Sequence, residues 1–323
     1  MESAGGGILV IRGGAIGDFI LTLPALAALR GQFPRARLDV LGYPHIVQLA
    51  LEGGLVDRVA SIEARALAGF FARGGVLSES LADYFSEFDL IISYLYDPDE
   101  IFETNVGRCT SAQFIRGPHR PAEAAGVHAA KVFLQPLERL AIFDADHVPS
   151  LVLRGDEPAA DRPCAGPYLR LALHPGSGSE RKNWPESKWA ELLERLINST
   201  AFDLLLVGGE AEGERLQRLC AALPPARLRL AQSLPLPQLA RLLARCAGFV
   251  GHDSGISHLA AAVGLPGIVL WGDTVAEVWR PPSGKVVLLR HPRGLEEIGV
   301  ADVLSLVRGL GAPGSRLDSV TEP

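Results

Sequence analysis

The chain has 323 residues, 48% of them hydrophobic and 21% charged, with a formal net charge of −6. This balance excludes a disordered chain, and the acidic surplus argues against a general nucleic-acid binder, which carries a basic excess. The length suffices for two domains with cores of their own.

Cys109, Cys164, Cys220 and Cys246 are scattered, with no Cys-x-x-Cys pair and no metal-ligand spacing, and read as reduced thiols of a cytoplasmic protein. The opening residues go straight into a strand without a basic segment and long apolar stretch, so no signal peptide is expected. The longest apolar run, Leu259–Trp271, is too short to cross a bilayer, which leaves at most peripheral membrane contact.

In chain order, Ile8–Arg12 reads as a short apolar strand and Ile16–Arg30 as an amphipathic helix. The turn between them holds Gly13, Gly14 and Gly17, which approximates a dinucleotide fingerprint. Two features oppose that reading. Asp18 occupies the first helical turn, where a pyrophosphate would sit, and Asp39 precedes the end of the next strand, Leu38–Leu41, so no acid closes it. A helix N-terminus holds such an aspartate ionised, ready to accept a proton from an attacking hydroxyl. The plainer reading of Asp18 is helix stabilisation.

Asp89–Leu95 reads as a further strand. Asp97-Pro98-Asp99 after it is treated as a loop rather than a metal motif, because two matching residues carry little information. Arg116, His119, Arg120, His128 and Lys131 form a basic segment suited to an anionic acceptor, or else to solvent, and a helix is expected around Ala129–Ala141. The polar, proline-containing stretch 154–167 reads as an interdomain linker.

The alternation then restarts with a strand over Tyr168–His174 and a helix over Pro185–Asn198. The loop between them offers Ser177, Ser179 and the cation Lys182, the parts that phosphate chemistry needs. Phe202–Val207 reads as a strand and Glu210–Ala222 as a helix, with Glu210, Glu212 and Glu214 as acids at its start. Leu236–Cys246 is a further helix.

Strand 248–251, a polar loop and an apolar helical run closed by Gly264 and Pro266 come next. Ser254, Gly255 and the neighbouring N–H groups then lie at a helix N-terminus, a ready anion site. Asp253 suits a ribose or sugar hydroxyl at the same mouth, and His258 flanks it. The plainer reading makes Asp253 or Ser254 a helix cap and His258 a core histidine. Residues 300–310 suggest a last helix, followed by a frayed tail over 311–323.

Three of these stretches resemble glycosyltransferase family 9, the heptosyltransferases. Arg12, Gly17, Asp18, Thr22, Pro24, Ala25 and Leu26 match its N-terminal motif, Lys182-Asn183-Trp184-Pro185 its Lys-x-Trp-Pro element, and Asp253-Ser254-Gly255-x-x-His258 its nucleotide signature. Asp273 departs from the family, whose relatives carry proline in the turn after the next strand.

The resemblance spans roughly residues 8–310 and implies a GT-B fold, two Rossmann-like domains with parallel sheets facing a central cleft. Residues 1–153 would serve the acceptor and 168–310 the nucleotide sugar. It implies inverting, metal-independent transfer of a heptose from ADP-heptose to a lipopolysaccharide-core or related glycan, in the cytoplasm or at the inner membrane face, with no cofactor beyond the donor.

In that scheme Asp18 is the catalytic base and Lys182 meets the leaving diphosphate. Ser177 or Ser179 contacts phosphate, and Glu210 or Glu214 (with Glu212 also a candidate) holds the ribose. Asp253, Ser254, Gly255 and His258 bind the nucleotide sugar, and Arg116, Arg120 and His128 face the acceptor. Two alternatives stand beside it. One is a GT-B enzyme with another nucleotide-sugar donor, or a nucleotide-sugar epimerase. The other is a non-catalytic nucleotide-binding protein.

Overall fold

The computed structural model describes residues 6–155, 169–221, 223–310 and 320–321. The chain divides into two compact units, Met1–Pro149 and Ser150–Pro323. The change of unit comes ahead of the expected linker because Leu151 and Leu153 are buried, and the Leu151 N–H donates to the Ala262 carbonyl of the second unit at 2.8 Å. Most of stretch 154–167 lies outside the described residues, as does Cys164.

The first unit runs β1 (Gly7–Arg12), α1 (Ile16–Ile20), α2 (Leu23–Gln32), β2 (Arg37–Gly42), α3 (Pro44–Glu52), β3 (Arg58–Ser61), α4 (Glu79–Ser86), β4 (Leu90–Ser93), α5 (Ile101–Gly107), β5 (Gln113–Arg116) and α6 (Ala129–Leu134). Its sheet is parallel throughout, in the order β3-β2-β1-β4-β5. All six residues of β1, Gly-Ile-Leu-Val-Ile-Arg, are buried, as expected of a central strand covered on both faces. Leu9, Ile11, Leu41, Phe70, Phe85 and Phe102 pack on one side of this sheet.

The helix expected over 16–30 is two helices. Proline at 24 supplies no N–H and crowds the carbonyl four residues back, so helix 16–20 ends and a second starts around it. Thr22 Oγ1 takes over the Asp18 carbonyl at 2.8 Å. Proline also shortens the helix expected to reach 141. α6 stops at Leu134, and a 3₁₀ turn containing Pro136 follows to Leu140.

The second unit runs β6 (Arg170–Leu173), α7 (Glu186–Ser199), β7 (Asp203–Gly208), α8 (Gly213–Ala221), β8 (Leu228–Gln232), α9 (Leu236–Leu243), β9 (Gly248–His252), α10 (Gly255–Ala262), β10 (Gly267–Leu270), α11 (Ala276–Trp279), β11 (Val286–Leu289), α12 (Val300–Leu310) and β12 (Val320–Thr321). The parallel sheet has the order β12-β11-β10-β9-β6-β7-β8. Val320 and Thr321 pair with Leu288 and Leu289, and the rest of the tail expected to fray lies outside the described residues. All four tryptophans, Trp184, Trp189, Trp271 and Trp279, belong to this unit.

In each sheet the strand order reverses once, between β1 and β4 and between β6 and β9. The carboxyl ends at such reversals are where open α/β sheets bind ligands. Among the described residues no helix is long and apolar enough to cross a membrane.

Candidate functional site

At the reversal in the second unit, β6 runs into the loop 174–184 and β9 ends at His252, with Leu173 paired to Val250. Lys182 Nζ lies 2.6 Å from Asp253 Oδ2, and Thr274 Oγ1 donates to the same oxygen at 2.7 Å. The Trp271 indole N–H in turn donates to the Thr274 carbonyl at 2.8 Å, fixing that turn against β10. Asp253 is therefore held from two sides, and Lys182 has a defined place despite its length.

Ser254 caps α10, its hydroxyl accepting the Ser257 N–H at 3.4 Å, and lies 3.3 Å from His174 Nδ1. α10 begins at Gly255, so its first backbone N–H groups lie at the carboxyl end of β9 beside Asp253. His258 is buried within this helix. Burial pushes the imidazole of His174 down to about 3 and that of His252 down to about 4. Both are neutral at physiological pH.

Ser177 Oγ lies 2.7 Å from Asn183 Oδ1 and 2.8 Å from the Ser179 carbonyl, so its hydroxyl braces the loop. Of the acids after β7, Glu212 folds back, accepting the Gly209 N–H at 2.8 Å and covering Gly176. A Cβ on Gly176 would come within 2.3 Å of Glu212 Cγ. Glu214 is turned to solvent beside Arg218, one turn further along α8, and Glu210 is exposed. Glu212 lies in the turn ahead of α8 and folds back onto it, whereas Glu214, in the first turn of the helix, is exposed.

At the reversal in the first unit, Gly14 adopts φ +98°, a left-handed turn that glycine makes without strain, and α1 follows. Asp18 Oδ2 accepts the Ala15 N–H at 3.0 Å. Arg12, only 3% exposed, lies 3.7 Å from Asp18 Oδ1 and donates to the His119 carbonyl at 2.9 Å. Its guanidinium stands 4.4 Å from the Phe133 ring centroid. Asp18 thus stabilises its helix and also keeps a quarter of its side chain open to solvent.

Residues 143–299 match the family described as glycosyltransferase family 9 (heptosyltransferase). Lipopolysaccharide heptosyltransferase 3 of Escherichia coli is 25% identical over 304 residues, covering 84% of this chain and 85% of the relative. Among solved structures, a family 9 glycosyltransferase from Veillonella parvula aligns with a TM-score of 0.74 at 18% identity, covering 96% of this chain and 98% of that one. E. coli heptosyltransferase WaaC with ADP aligns at 0.72 and 20% identity, covering 94% and 100%.

The chain is a family 9-like glycosyltransferase. Its two parallel-sheet α/β units have the GT-B fold of those heptosyltransferases.

The basic segment of this heptosyltransferase-like chain makes local pairings of its own. Arg116 pairs with Glu103 and, at 2.6 Å, with Glu100, and Arg120 pairs with Glu123 at 2.8 Å. His128 caps α6, its Nδ1 accepting the Ala130 N–H at 3.2 Å. The two guanidinium charges are met by carboxylates from nearby turns, and short-range composition hides such pairing. Asp97 is a helix cap too, its carboxylate accepting the Phe102 and Glu103 N–H groups at 3.1 and 3.0 Å.

Sequence reasoning passed over His252, Thr274 and Arg215. Arg215 donates to the Pro175 carbonyl at 3.3 Å and pairs with Glu180 at 2.7 Å, tying α8 to the loop that carries Lys182. An unusual cation in the first turns of α8 was the only signal available for it.

Proposed function

We propose that the enzyme transfers heptose from ADP-heptose to a lipopolysaccharide-core or related glycan, with inversion and without a metal. The observation that carries the proposal is the Lys182–Asp253–Thr274 linkage at the start of α10. It gathers a positioned cation and helix N–H groups at the strand ends, the chemistry that accepts a departing diphosphate. WaaC was solved with ADP, and the E. coli relative of 25% identity is named for lipopolysaccharide heptosyltransfer, which supports donor and acceptor class.

In this reading the acceptor hydroxyl attacks the anomeric carbon as the bond from that carbon to the diphosphate oxygen breaks. The electron pair leaves with ADP, and Asp18 takes the hydroxyl proton. Arg12 and the Ala15 N–H hold the Asp18 carboxylate in place. Asp253 orients Lys182, and Glu212 is the acid placed for the ribose. The acceptor lies at the inner membrane face, and contact there is peripheral.

Asp18→Asn keeps the shape and removes the proton acceptor, so kcat should fall about 10²–10⁴-fold with ADP-heptose affinity near normal. Lys182→Ala should lose both kcat and donor affinity, because its charge meets the diphosphate in ground and transition states alike. Near-full turnover of Asp18→Asn on a lipopolysaccharide-core acceptor would remove the base assignment. Hydrolysis or epimerisation of the donor without acceptor would redirect the whole reading. Activity abolished by chelator and restored by a divalent cation would overturn the metal-free step.

A further inference from the structure

We infer that His252 is a positioning residue for Lys182, clamping the loop 174–184 at both ends onto the end of β9. The inference rests on the reading of that loop as the diphosphate side of the donor site. The loop leaves β6 after Leu173, and α7 begins at Glu186. His252 grips it near each end. The Trp184 N–H meets Nε2 at 2.9 Å, and the Gly176 carbonyl lies 3.2 Å from Nδ1.

A backbone N–H can only donate, so Nε2 carries the lone pair and the ring proton sits on Nδ1, where it donates to Gly176. Trp189 packs edge-on against the imidazole at 5.4 Å and fixes its plane. The ring is fully buried, so it touches no substrate. Its effect passes through its neighbour. Asp253, the next residue, receives Lys182, so a single strand end anchors the loop and supplies the carboxylate that aims its cation. A lysine on a flexible loop would lose much rotamer freedom on meeting phosphate, and the clamp removes part of that cost beforehand.

The test uses the full chain. His252→Leu removes both hydrogen bonds, and each buried loss of this kind is worth about tenfold in an equilibrium. ADP affinity by calorimetry should fall about tenfold or more, and kcat should fall with it, with the acceptor KM unchanged. The Trp184 amide should exchange faster with solvent deuterium. His252→Gln, whose Oε1 can accept from Trp184, should recover part of the affinity.

Wild-type ADP affinity in a folded His252→Leu protein, judged by its near-ultraviolet circular dichroism, would overturn the inference. Should that variant not fold, His252→Asn decides, since it keeps a donor toward Gly176 and lacks the acceptor for Trp184. Wild-type ADP affinity there overturns the clamp equally. Lys182→Ala is measured alongside. If it binds ADP normally, the donor reading fails, and Trp184 exchange in the His252 variants still judges the clamp.

Discussion

Asp253 is where single-residue chemistry is most concentrated. Its Oδ2 receives a lysine ammonium and a threonine hydroxyl at once. A charge-assisted hydrogen bond of this kind is about twice as strong as a neutral one. Thr274→Val keeps the side-chain shape and deletes only the hydroxyl. The donor KM should rise several-fold with little change in thermal stability, since the group is half-buried and its loss leaves no cavity. An unchanged donor KM would show that Lys182 alone sets the carboxylate. In the first unit, Arg12 is the comparable anchor, buried between Tyr94 and Phe133 and facing Asp18. The neighbouring Tyr94 hydroxyl, raised above its ordinary pKa by burial, donates to the Phe133 carbonyl at 2.6 Å and closes this nest.

At the scale of elements, Asn105 on α5 does work out of proportion to its size. Its side-chain amide donates to the carbonyls of Phe70 at 3.0 Å and Ala72 at 2.9 Å, and its oxygen accepts from Arg108 at 3.0 Å. It holds a 3₁₀ segment, Arg65–Phe71, that brings Leu67 and Phe70 into the core. Asn105→Ala should cost about 2–3 kcal/mol because buried carbonyls lose their donor. Denaturant unfolding would read that loss, and an unchanged midpoint would mean that packing alone holds the segment.

Elements such as this one mark the limit of what the sequence reveals. The buried strands β1, β7 and β9 were legible because a two-face-covered strand reads as a continuous apolar run. The start of α10 was legible because Ser254 and Gly255 punctuate it. Strands β3, β5, β8 and β11 are only four or five residues long, and the first three are largely exposed or half-exposed, so no continuous apolar run announced those three. The break at Leu21–Thr22 was available from Pro24. The site was legible as motifs and not as partnerships. Lys182 and Asp253 are 71 positions apart, and nothing local says that they meet. His252 looked like the first residue of the polar loop after strand 248–251, whereas it ends β9 and its two partners come from another loop.

At the scale of the whole molecule, two strongly shifted imidazoles, His174 and His252, lie in one unit. His174 and His252 are neutral in the fold, whereas in the unfolded chain a histidine takes up its proton near pH 6.5. Their contribution to stability is complete above that value and is lost as pH falls toward about 4. For His252 alone the difference amounts to ~3 kcal/mol. The melting temperature should drop between pH 6.5 and pH 4.5, and His252→Gln should flatten the slope. A melting temperature constant over that window would contradict the assignment of both rings as buried and neutral.

The placement of the four tryptophans turns this into something that can be watched. Residues 1–149 contain tyrosines and no indole, so selective indole excitation lights the second unit alone. Trp184 and Trp189 border the His252 ring, and Trp271 anchors the turn that holds Asp253. Emission intensity and wavelength are therefore a built-in optical reporter of the second unit, sensitive to acid and, on the proposed function, to nucleotide. The first unit stays dark at the same wavelength and can be followed by its tyrosines.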